Sequence, residues 1–484
     1  MKPIRSAVAM LLLAGLLSGA CSRTQSGPPP IPDAFACQGG AWVLEDGTLL
    51  AITPVTGGLR YRLLDGRSGN LEVDGKASTD ELQALEGWRD AGPVTATARF
   101  EPCAEGRLHF SLADGPGGTA TRLPLQVADT RLASGELQLR GRLVLPVGAS
   151  GPVPLAVLVH GSERYSGVDS YALQYLLPAQ GVAVFVYDKR GTGGSDGVYT
   201  QDFHVLADDA IAALAEARRL HPAGFTRAGF VGTSQGGWVA PLAASRSDAG
   251  YAMSLFGLAE NALAEDREQV MNDLRAKGHG DEVLAQAREV TDATATLVSS
   301  GFTRGFDELR AVRDKYGDAP WFADIRGEFS GQVLRIPSWT PEWIVRAIAS
   351  REDVGTSWDY EPMPVLESLA VPQLWVVAAE DIEAPNVETL RRIRELQSKR
   401  RPIDLAVFPD TDHGILEFDA SGGERVMLRH ADGYFRLIAD WIREPGLRGP
   451  YGRAKLEPAA VAMSAAAPGD AAPVSGTTTD TPVE

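Results

Sequence analysis

A serine flanked by glycines is the first feature of the chain that could carry out chemistry. The motif GTSQG at 232–236 follows one apolar run and precedes another, so Ser234 lies between a predicted buried strand and a predicted helix. Glycine neighbours relieve the crowding of such a sharp turn, which leaves the hydroxyl exposed as a candidate nucleophile. An ordinary turn is the alternative, because a glycine-rich chain matches this motif by chance.

A serine hydroxyl becomes a useful nucleophile when a neighbouring base accepts its proton. His413 is the candidate base, since it follows the last predicted buried strand in the polar loop FPDTDHG. An acid must then orient the imidazole and stabilise its cation. The loop EDIEAP supplies Asp381 at the end of the preceding strand, with Glu380 and Glu383 as rivals. The chain order of Ser234, Asp381 and His413 is one in which a catalytic triad occurs.

Alternating strands and helices are expected to bring these side chains to one edge of a sheet. Continuous apolar runs such as VPLAVLVHG, GVAVFVYD and VPQLWVVAA alternate with amphipathic segments, which predicts parallel βαβ units over residues 129–446. The carboxyl ends of parallel strands are where catalytic groups collect. Residues 260–358 have helical periodicity without a comparable buried strand and are predicted to form a helical lid.

The regions on either side of these units have different patterns. Short β-like runs separated by Gly and Asp-Gly turns predict a small β-rich accessory domain over residues 36–128. A single short helix is predicted there in STDELQALEGW. Residues 447–484, whose last part is rich in Ala, Pro, Thr and Ser, are predicted to form a disordered tail.

The N-terminus has the pattern of an export signal. Two basic residues, an apolar run and small residues make up residues 1–20, and the run is too short to span a bilayer comfortably. Cys21 follows, and this order resembles a bacterial lipoprotein box, which implies that Cys21 is lipidated; simple secretion is the alternative. Residues 21–35 contain three consecutive prolines and are predicted to be a tether. Ser22 resembles the pattern of outer-membrane lipoproteins, so the expected location is the periplasm, with a lipid anchor in the outer membrane.

Cysteine usage indicates the compartment of the protein, and net charge excludes some classes of partner. If Cys21 carries lipid, Cys37 and Cys103 remain, and an oxidising compartment favours a disulfide between them over two buried thiols. The net charge of -17 argues against nucleic acid and anionic lipid as partners, which leaves the N-terminal anchor as the expected membrane contact. The spacing of cysteines and histidines indicates no metal site, and no motif indicates a cofactor.

Several motifs in order resemble the α/β-hydrolase superfamily. They are HGS at 160–162, DKRGTGGSDG at 188–197, GTSQGG at 232–237, EDIEAP at 380–385 and DHG at 412–414. The similarity covers residues 140–444 apart from the lid. It is nearest to bacterial esterases and serine-peptidase-like hydrolases of the dienelactone hydrolase and prolyl oligopeptidase branch.

The resemblance implies a mostly parallel sheet with helices on both faces and an acyl-enzyme formed on Ser234. It also implies that the backbone N–H groups of Ser162 and Gln235 stabilise the oxyanion, and that His160 is structural. One departure concerns the residues after HGS, where Glu163 and Arg164 replace the usual small residues. The oxyanion loop is therefore expected to be charged or differently shaped.

Three functions are compatible with these features. The first is a serine hydrolase that cleaves an ester or a related acyl bond of a small or short acyl substrate. The second is a serine peptidase or aminopeptidase with the same triad. The third is a catalytically silent lipoprotein whose β-rich domain binds envelope components, and an intact triad weighs against it because a binding protein needs none of the three groups.

Overall fold

The computed structural model describes residues 37–55, 58–73 and 81–460. The predicted signal peptide, the tether, the lipidation site Cys21 and the end of the predicted tail lie outside the described residues. Among the described helices, none is both long and apolar enough to cross a membrane.

A closed antiparallel barrel forms the first part of the described chain. Its interior is filled by apolar side chains, among them Trp42, Leu71 and Phe110, so the barrel has a packed core rather than a lumen. Cys37 and Cys103 are joined by the predicted disulfide, with their Cα atoms 6.0 Å apart. The strands are β1 (Gly40–Leu44), β2 (Leu49–Val55), β3 (Gly58–Leu63), β4 (Ser68–Val73), β5 (Leu82–Ala84), β6 (Ala96–Phe100), β7 (Arg107–Leu112) and β8 (Gly117–Arg122).

The prediction of a short helix in this region is wrong for residues 81–88, the part of it that the structure describes. Leu82–Ala84 forms strand β5, which pairs with β4 on one side and β6 on the other. Leu82 and Ala84 are buried in the barrel core and Gln83 between them is not, an alternation that a strand produces. Barrel closure needs a strand at this position, and that need outweighs the local helical preference.

The C-terminal domain is built on a mixed sheet with the strand order β20-β16-β15-β14-β13-β11-β12-β10-β9. The six central strands, β11 to β16, run parallel to one another. Strands β9, β10 and β20 are antiparallel to their neighbours. The strands are β9 (Gln126–Ser134), β10 (Leu137–Leu145), β11 (Val153–Val159), β12 (Ala183–Tyr187), β13 (Phe225–Thr233), β14 (Ala252–Leu255), β15 (Gln373–Ala378), β16 (Ile403–Phe408) and β20 (Lys455–Glu457).

Helices cover both faces of this sheet, as predicted. Alternate residues of β11 belong to different apolar clusters, Ala156 and Leu158 to one and Leu155 and Val157 to the other. The first cluster includes α1, α2 and α12, and the second includes α3 and α4. The helices around the sheet are α1 (Gly167–Ser170), α2 (Leu173–Leu176), α3 (Phe203–Leu220), α4 (Gly236–Ser245), α10 (Met363–Ser368), α11 (Val387–Ser398) and α12 (Tyr434–Arg443).

A helical insertion separates β14 from β15, in the region predicted as a lid. Its helices enclose an apolar cluster of their own, to which Val270, Leu297 and Phe329 belong. This second core explains why the segment folds without adding a strand to the sheet. The helices are α5 (Ala262–Ala276), α6 (Asp281–Ser299), α7 (Phe306–Tyr316), α8 (Ser330–Arg335) and α9 (Glu342–Glu352).

The two ends of the C-terminal domain differ from the predicted boundaries. Strand β9 already begins at Gln126, so the sheet starts before residue 129. The predicted disordered tail is wrong for residues 447–457, because β20 pairs with β16 and Tyr451 is buried. Pairing at a sheet edge depends on a strand that is distant in the sequence, so local composition does not reveal it.

A three-stranded sheet after β16 connects the two domains. It consists of β17 (Thr411–Asp412), β18 (Leu416–Asp419) and β19 (Val426–His430), and its strands run antiparallel. The N–H of Trp88 in the barrel region donates to the carbonyl of Met427 in β19 at 2.9 Å. Arg89 forms an ion pair with Asp419 at 2.8 Å. The barrel therefore packs directly against the segment that carries His413.

Candidate active site

The backbone at Ser234 has the geometry of a strained strand-to-helix turn. Ser234 lies between β13 and α4 with a φ of 51°, which is the left-handed region that non-glycine residues rarely adopt. Its N–H donates to the carbonyl of Leu255 at 3.0 Å, and its carbonyl accepts from the N–H of Gly237 at 2.7 Å. These bonds hold the strained residue in place and keep its side chain at the sheet edge.

Glycines make this turn possible because backbone passes too close for a side chain. A Cβ on Gly232 would overlap the carbonyl oxygen of Gly236, and a Cβ on Gly236 would lie 2.5 Å from the carbonyl oxygen of Val159. A Cβ on Gly237 would lie 2.6 Å from Ser254 Oγ. The glycines of the motif are therefore required by packing on both sides of the serine.

We expect Gly232→Ala to destabilise the protein by about 3 kcal/mol or more, since the added methyl group has rigid backbone in its way. Gly151→Ala is the matched control, because a Cβ at Gly151 meets nothing within 4 Å. This control should change the free energy of unfolding by less than about 1 kcal/mol. Urea denaturation of both variants measures the difference, and equal stabilities would contradict the packing described for Gly232.

The structure brings Ser234, His413 and Asp381 together in one hydrogen-bonded chain. Ser234 Oγ lies 3.1 Å from His413 Nε2, and His413 Nδ1 lies 2.9 Å from Asp381 Oδ2. A proton on Nδ1 that is donated to Asp381 leaves Nε2 free to accept the serine proton. This is the arrangement that nucleophilic catalysis by serine requires.

The loop after β15 orients Asp381 and separates it from its two rivals. Asp381 Oδ1 accepts from the N–H groups of Ala384 at 2.7 Å and Glu383 at 3.1 Å, which turns Oδ2 toward the imidazole. Glu380 points away and lies 3.4 Å from Arg425. Glu383 has an exposed side chain, and its Oε1 lies 3.7 Å from His413 Nε2. Asp381 is thus the carboxylate that bonds Nδ1.

Two further side chains position His413. Phe256, also at a positive φ of 44°, packs edge-on against the imidazole with ring centroids 4.9 Å apart. Asp412 Oδ1 accepts from the backbone N–H groups of His413 at 2.8 Å and Ile382 at 3.0 Å, which ties the acid loop to the histidine loop. Asp412 is itself paired with Arg425 at 2.7 Å.

Opposing effects set the pKa of His413. Burial lowers it, but the hydrogen bond to Asp381 and the negative charges of Asp381, Glu383 and Asp412 outweigh burial and raise the pKa above its ordinary value of 6.5. A base must be unprotonated in the free enzyme, so activity is expected to fall as the pH decreases through this raised pKa.

Glu383→Gln should move the acidic limb of the kcat/KM profile to lower pH. The substitution removes a negative charge that favours the imidazolium, so the pKa of His413 falls and the base stays neutral in more acidic solution. The rate on the plateau should stay within about tenfold, a change of no more than ~1.4 kcal/mol. Glu380→Gln is the matched control, because Glu380 faces Arg425 instead. A midpoint that stays fixed or rises in Glu383→Gln would contradict this account.

The predicted oxyanion donors belong to the residue after Ser234 and to a loop that packs against Ser234. Gln235 immediately precedes α4, so its N–H is among those at a helix start that lack a partner within the helix. Ser162 follows Gly161, which packs against the nucleophile: a Cβ on Gly161 would lie 3.3 Å from Ser234 Cβ. The direction of both N–H groups toward an oxyanion remains a prediction.

Of the two charged residues after HGS, Glu163 turns toward the protein interior, whereas Arg164 is exposed. The Glu163 carboxylate accepts from the Tyr171 hydroxyl and lies 3.7 Å from His160 Nδ1. His160 itself is buried and bonds the carbonyl of Tyr187 through Nε2. Burial lowers the pKa of His160 to about 4, so the ring is neutral at physiological pH. His160 therefore has the structural position that the resemblance implied.

Glu265 and Glu328 are acidic residues of the helical insertion that lie near the site, and no motif in the sequence indicated them. Glu265 on α5 has a pKa well above its ordinary value, because burial and the charges of Glu328, Glu383 and Asp381 all disfavour its ionised form. Gln269, one turn further along α5, donates to the carbonyl of Glu383. The insertion thus brings carboxylates to the acid loop, and no local motif marks them because the contact is made between distant segments.

The described residues contain no group of three or more His, Cys, Asp or Glu side chains arranged to hold a metal ion.

Residues 151–259 match the family model Hydrolase_4, described as serine aminopeptidase, S33. No curated protein matches the sequence significantly. The matched residues lie in the C-terminal domain, whose strand order and helical layers are those of the α/β-hydrolase fold.

Similar solved structures include an acylaminoacyl peptidase, the protein Est1E and an esterase. Acylaminoacyl peptidase from Pyrococcus horikoshii is 16% identical over 82% of this chain, with a TM-score of 0.40. The match spans 54% of that peptidase, about half its length. Est1E from Butyrivibrio proteoclasticus, solved with ferulic acid bound, is 16% identical over 65% of this chain and 96% of its own, with a TM-score of 0.36. An esterase from Pyrococcus furiosus is 16% identical over 60% of this chain and 84% of its own, with a TM-score of 0.38.

Proposed function

We propose that this α/β-hydrolase cleaves an ester or a related acyl bond through an acyl-enzyme on Ser234. The observation that carries the proposal is the chain of hydrogen bonds from Ser234 Oγ through His413 to Asp381, at a serine held with positive φ. A hydroxyl bonded to a neutral imidazole that is oriented by a carboxylate is activated for attack on a carbonyl carbon.

The reaction proceeds in two halves. Ser234 Oγ attacks the carbonyl carbon while His413 Nε2 takes the hydroxyl proton, and the carbonyl oxygen becomes an oxyanion near the N–H groups of Ser162 and Gln235. Collapse breaks the bond to the leaving group, which receives the proton from His413 and departs as an alcohol. Water then attacks the acyl-enzyme and gives a proton to His413. His413 passes this proton to Ser234 Oγ as the acyl–serine bond breaks, which releases the carboxylic acid and restores the free enzyme.

A fluorophosphonate probe tests the nucleophile, and a substrate panel tests the bond. The probe should label Ser234 in the full-length protein, as shown by mapping the modified peptide. Aryl esters of different acyl length should be hydrolysed faster than aminoacyl amides. A label on another residue would refute the assignment of Ser234, and an unlabelled protein would favour the catalytically silent lipoprotein.

Aminopeptidase activity is the second candidate, and the carboxylates near the site favour it. Glu265, Glu328 and Glu383 lie close enough to influence one another, and Gln269 ties their elements together. A substrate ammonium group would counteract the burial and the neighbouring negative charges that raise the pKa values of Glu265 and Glu328, and so would favour the ionised carboxylates and pair with them. The two candidates separate on paired substrates, because an aminopeptidase loses an aminoacyl anilide as a substrate when its α-amino group is acetylated, whereas an esterase has no need of the free amine.

Export and anchoring remain part of the proposal. Residues 1–36 lie outside the described residues, and the lipid on Cys21, the periplasmic location and the outer-membrane anchor are supported by the sequence pattern at the N-terminus. A disulfide between Cys37 and Cys103 is compatible with an oxidising compartment.

A further inference from the structure

Lys189 is a buried cation beside the candidate active site that the proposed mechanism does not use. It lies two residues after β12, and the residue is only 2% exposed. Its Nζ donates to the carbonyl oxygen of Gly161 at 2.5 Å. Burying an ammonium group is costly unless it is hydrogen-bonded, so a lysine at this place calls for an explanation.

The carbonyl that Lys189 holds belongs to the peptide of the predicted oxyanion donor. In a trans peptide the C=O of Gly161 and the N–H of Ser162 point in opposite directions from one plane. Fixing that carbonyl against Lys189 therefore fixes the direction of the Ser162 N–H. The next carbonyl is fixed too, since the Tyr199 hydroxyl donates to the Ser162 oxygen at 2.6 Å.

The same loop is pressed against the nucleophile. A Cβ on Gly161 would lie 3.3 Å from both Ser234 Cβ and the carbonyl oxygen of Thr233. A shift of this loop would therefore change the position of the Ser162 N–H relative to Ser234. Lys189 and Tyr199, both from the segment after β12, hold the loop through their hydrogen bonds to the carbonyls of Gly161 and Ser162.

The charges around Lys189 allow it to act as a cation at neutral pH. Burial lowers its pKa to about 8, the Glu163 carboxylate opposes this shift, and the Arg164 guanidinium adds to it. The remaining titratable neighbours are His160, which is neutral, and Tyr199, whose ring centroid lies 4.8 Å from Nζ. The ammonium therefore forms at neutral pH and is lost in moderately alkaline solution.

We propose that Lys189 is a positioning residue for hydrolysis, which holds and polarises the Gly161–Ser162 peptide so that the Ser162 N–H stabilises the oxyanion. A positive charge at a carbonyl oxygen draws electron density through the peptide and strengthens its N–H as a donor. Stabilisation of this kind acts where charge develops in the transition state and leaves substrate binding largely unaffected. The inference rests on the proposed function.

Lys189→Met tests the inference, because methionine is apolar and removes both the charge and the donor. Loss of a complete oxyanion-hole donor costs about 10²–10³-fold in kcat, and loss of its alignment should cost about 10–100-fold. We expect this fall in kcat with KM within about twofold. Affinity for a trifluoromethyl ketone that forms an oxyanion adduct should weaken by a similar factor. Lys399→Met is the matched control on the surface and should change neither quantity.

Tyr199→Phe provides a second variant that leaves the buried charge in place. It should lower kcat by a smaller factor, and the effects of Lys189→Met and Tyr199→Phe should not add, since both act on one loop. The kcat of the wild-type protein should fall partially above a pH of about 8, as Lys189 loses its proton. That partial fall should be absent from Lys189→Met.

Several results would overturn the inference. A folded Lys189→Met protein with unchanged kcat, or with a raised KM and unchanged kcat, would show that Lys189 only stabilises the fold. If Lys189→Met does not fold, Tyr199→Phe decides the question. Wild-type kcat and wild-type inhibitor affinity in Tyr199→Phe would overturn the inference. Failure of the proposed function is distinguishable, because the wild-type protein would then fail to label at Ser234.

Discussion

Replacing Ser234 with alanine is expected to lower kcat by several orders of magnitude, because the members of a triad act as a unit. The substitution keeps the Cβ, so backbone strain at the positive φ is unchanged, and it removes a hydroxyl that bonds His413. The free energy of unfolding should therefore change little. Steady-state kinetics on the best aryl ester, together with a thermal unfolding curve, measure both effects.

Ser245→Ala is the matched control for this experiment. Ser245 lies at the end of α4, and its hydroxyl donates to the carbonyl of Leu242 at 2.8 Å, away from the triad. This control should retain wild-type kcat. If Ser234→Ala kept a tenth of wild-type activity, the assignment of Ser234 as nucleophile would be wrong.

Asp381→Asn should cost about 10⁴-fold in kcat, the size of the effect in other triads. The amide cannot stabilise the imidazolium, and its NH₂ group favours the tautomer that carries its proton on Nε2, where it blocks acceptance from Ser234. The distance of 2.9 Å between Asp381 Oδ2 and His413 Nδ1 is the contact that is lost. Single-turnover and steady-state rates measured at the plateau pH test this expectation.

The rival carboxylates supply the controls for Asp381→Asn. Glu380→Gln and Glu383→Gln should each stay within about tenfold of the wild-type kcat, or ~1.4 kcal/mol. Glu380 pairs with Arg425, and Glu383 contacts the imidazole from its exposed side. If Glu380→Gln lowered kcat by several orders of magnitude while Asp381→Asn stayed active, the hydrogen bonding described for Asp381 would be contradicted.

The candidate triad could be predicted because each member follows a recognisable strand. Buried parallel strands are continuous apolar runs, and their carboxyl ends meet at one sheet edge. Ser234 follows β13, Asp381 follows β15 and His413 follows β16, which places three distant residues together without any knowledge of side-chain contacts. The glycines beside Ser234 also predicted the sharp turn there, because backbone packs too closely at these positions for any other residue.

Elements that depend on distant pairing were misjudged. The segment around Leu82 has helical composition, but closure of the barrel makes it strand β5. Residues 455–457 carry little β pattern, yet they complete the sheet edge beside β16. In both cases hydrogen bonds to a strand far away in the sequence decide the conformation, and these bonds are invisible to a local pattern.

The parallel strands at the centre of the sheet, the position of the nucleophile turn and the order of the candidate triad could be predicted from the residues, because apolar periodicity and glycine requirements are local. The residues that surround these elements are set by tertiary contacts. The tertiary structure places Lys189 behind the Gly161 carbonyl and Glu265 near the acid loop. It also packs the barrel against the small sheet that carries His413. Such contacts join segments that chain folding brings together, and their energy depends on burial and distance rather than on sequence neighbours.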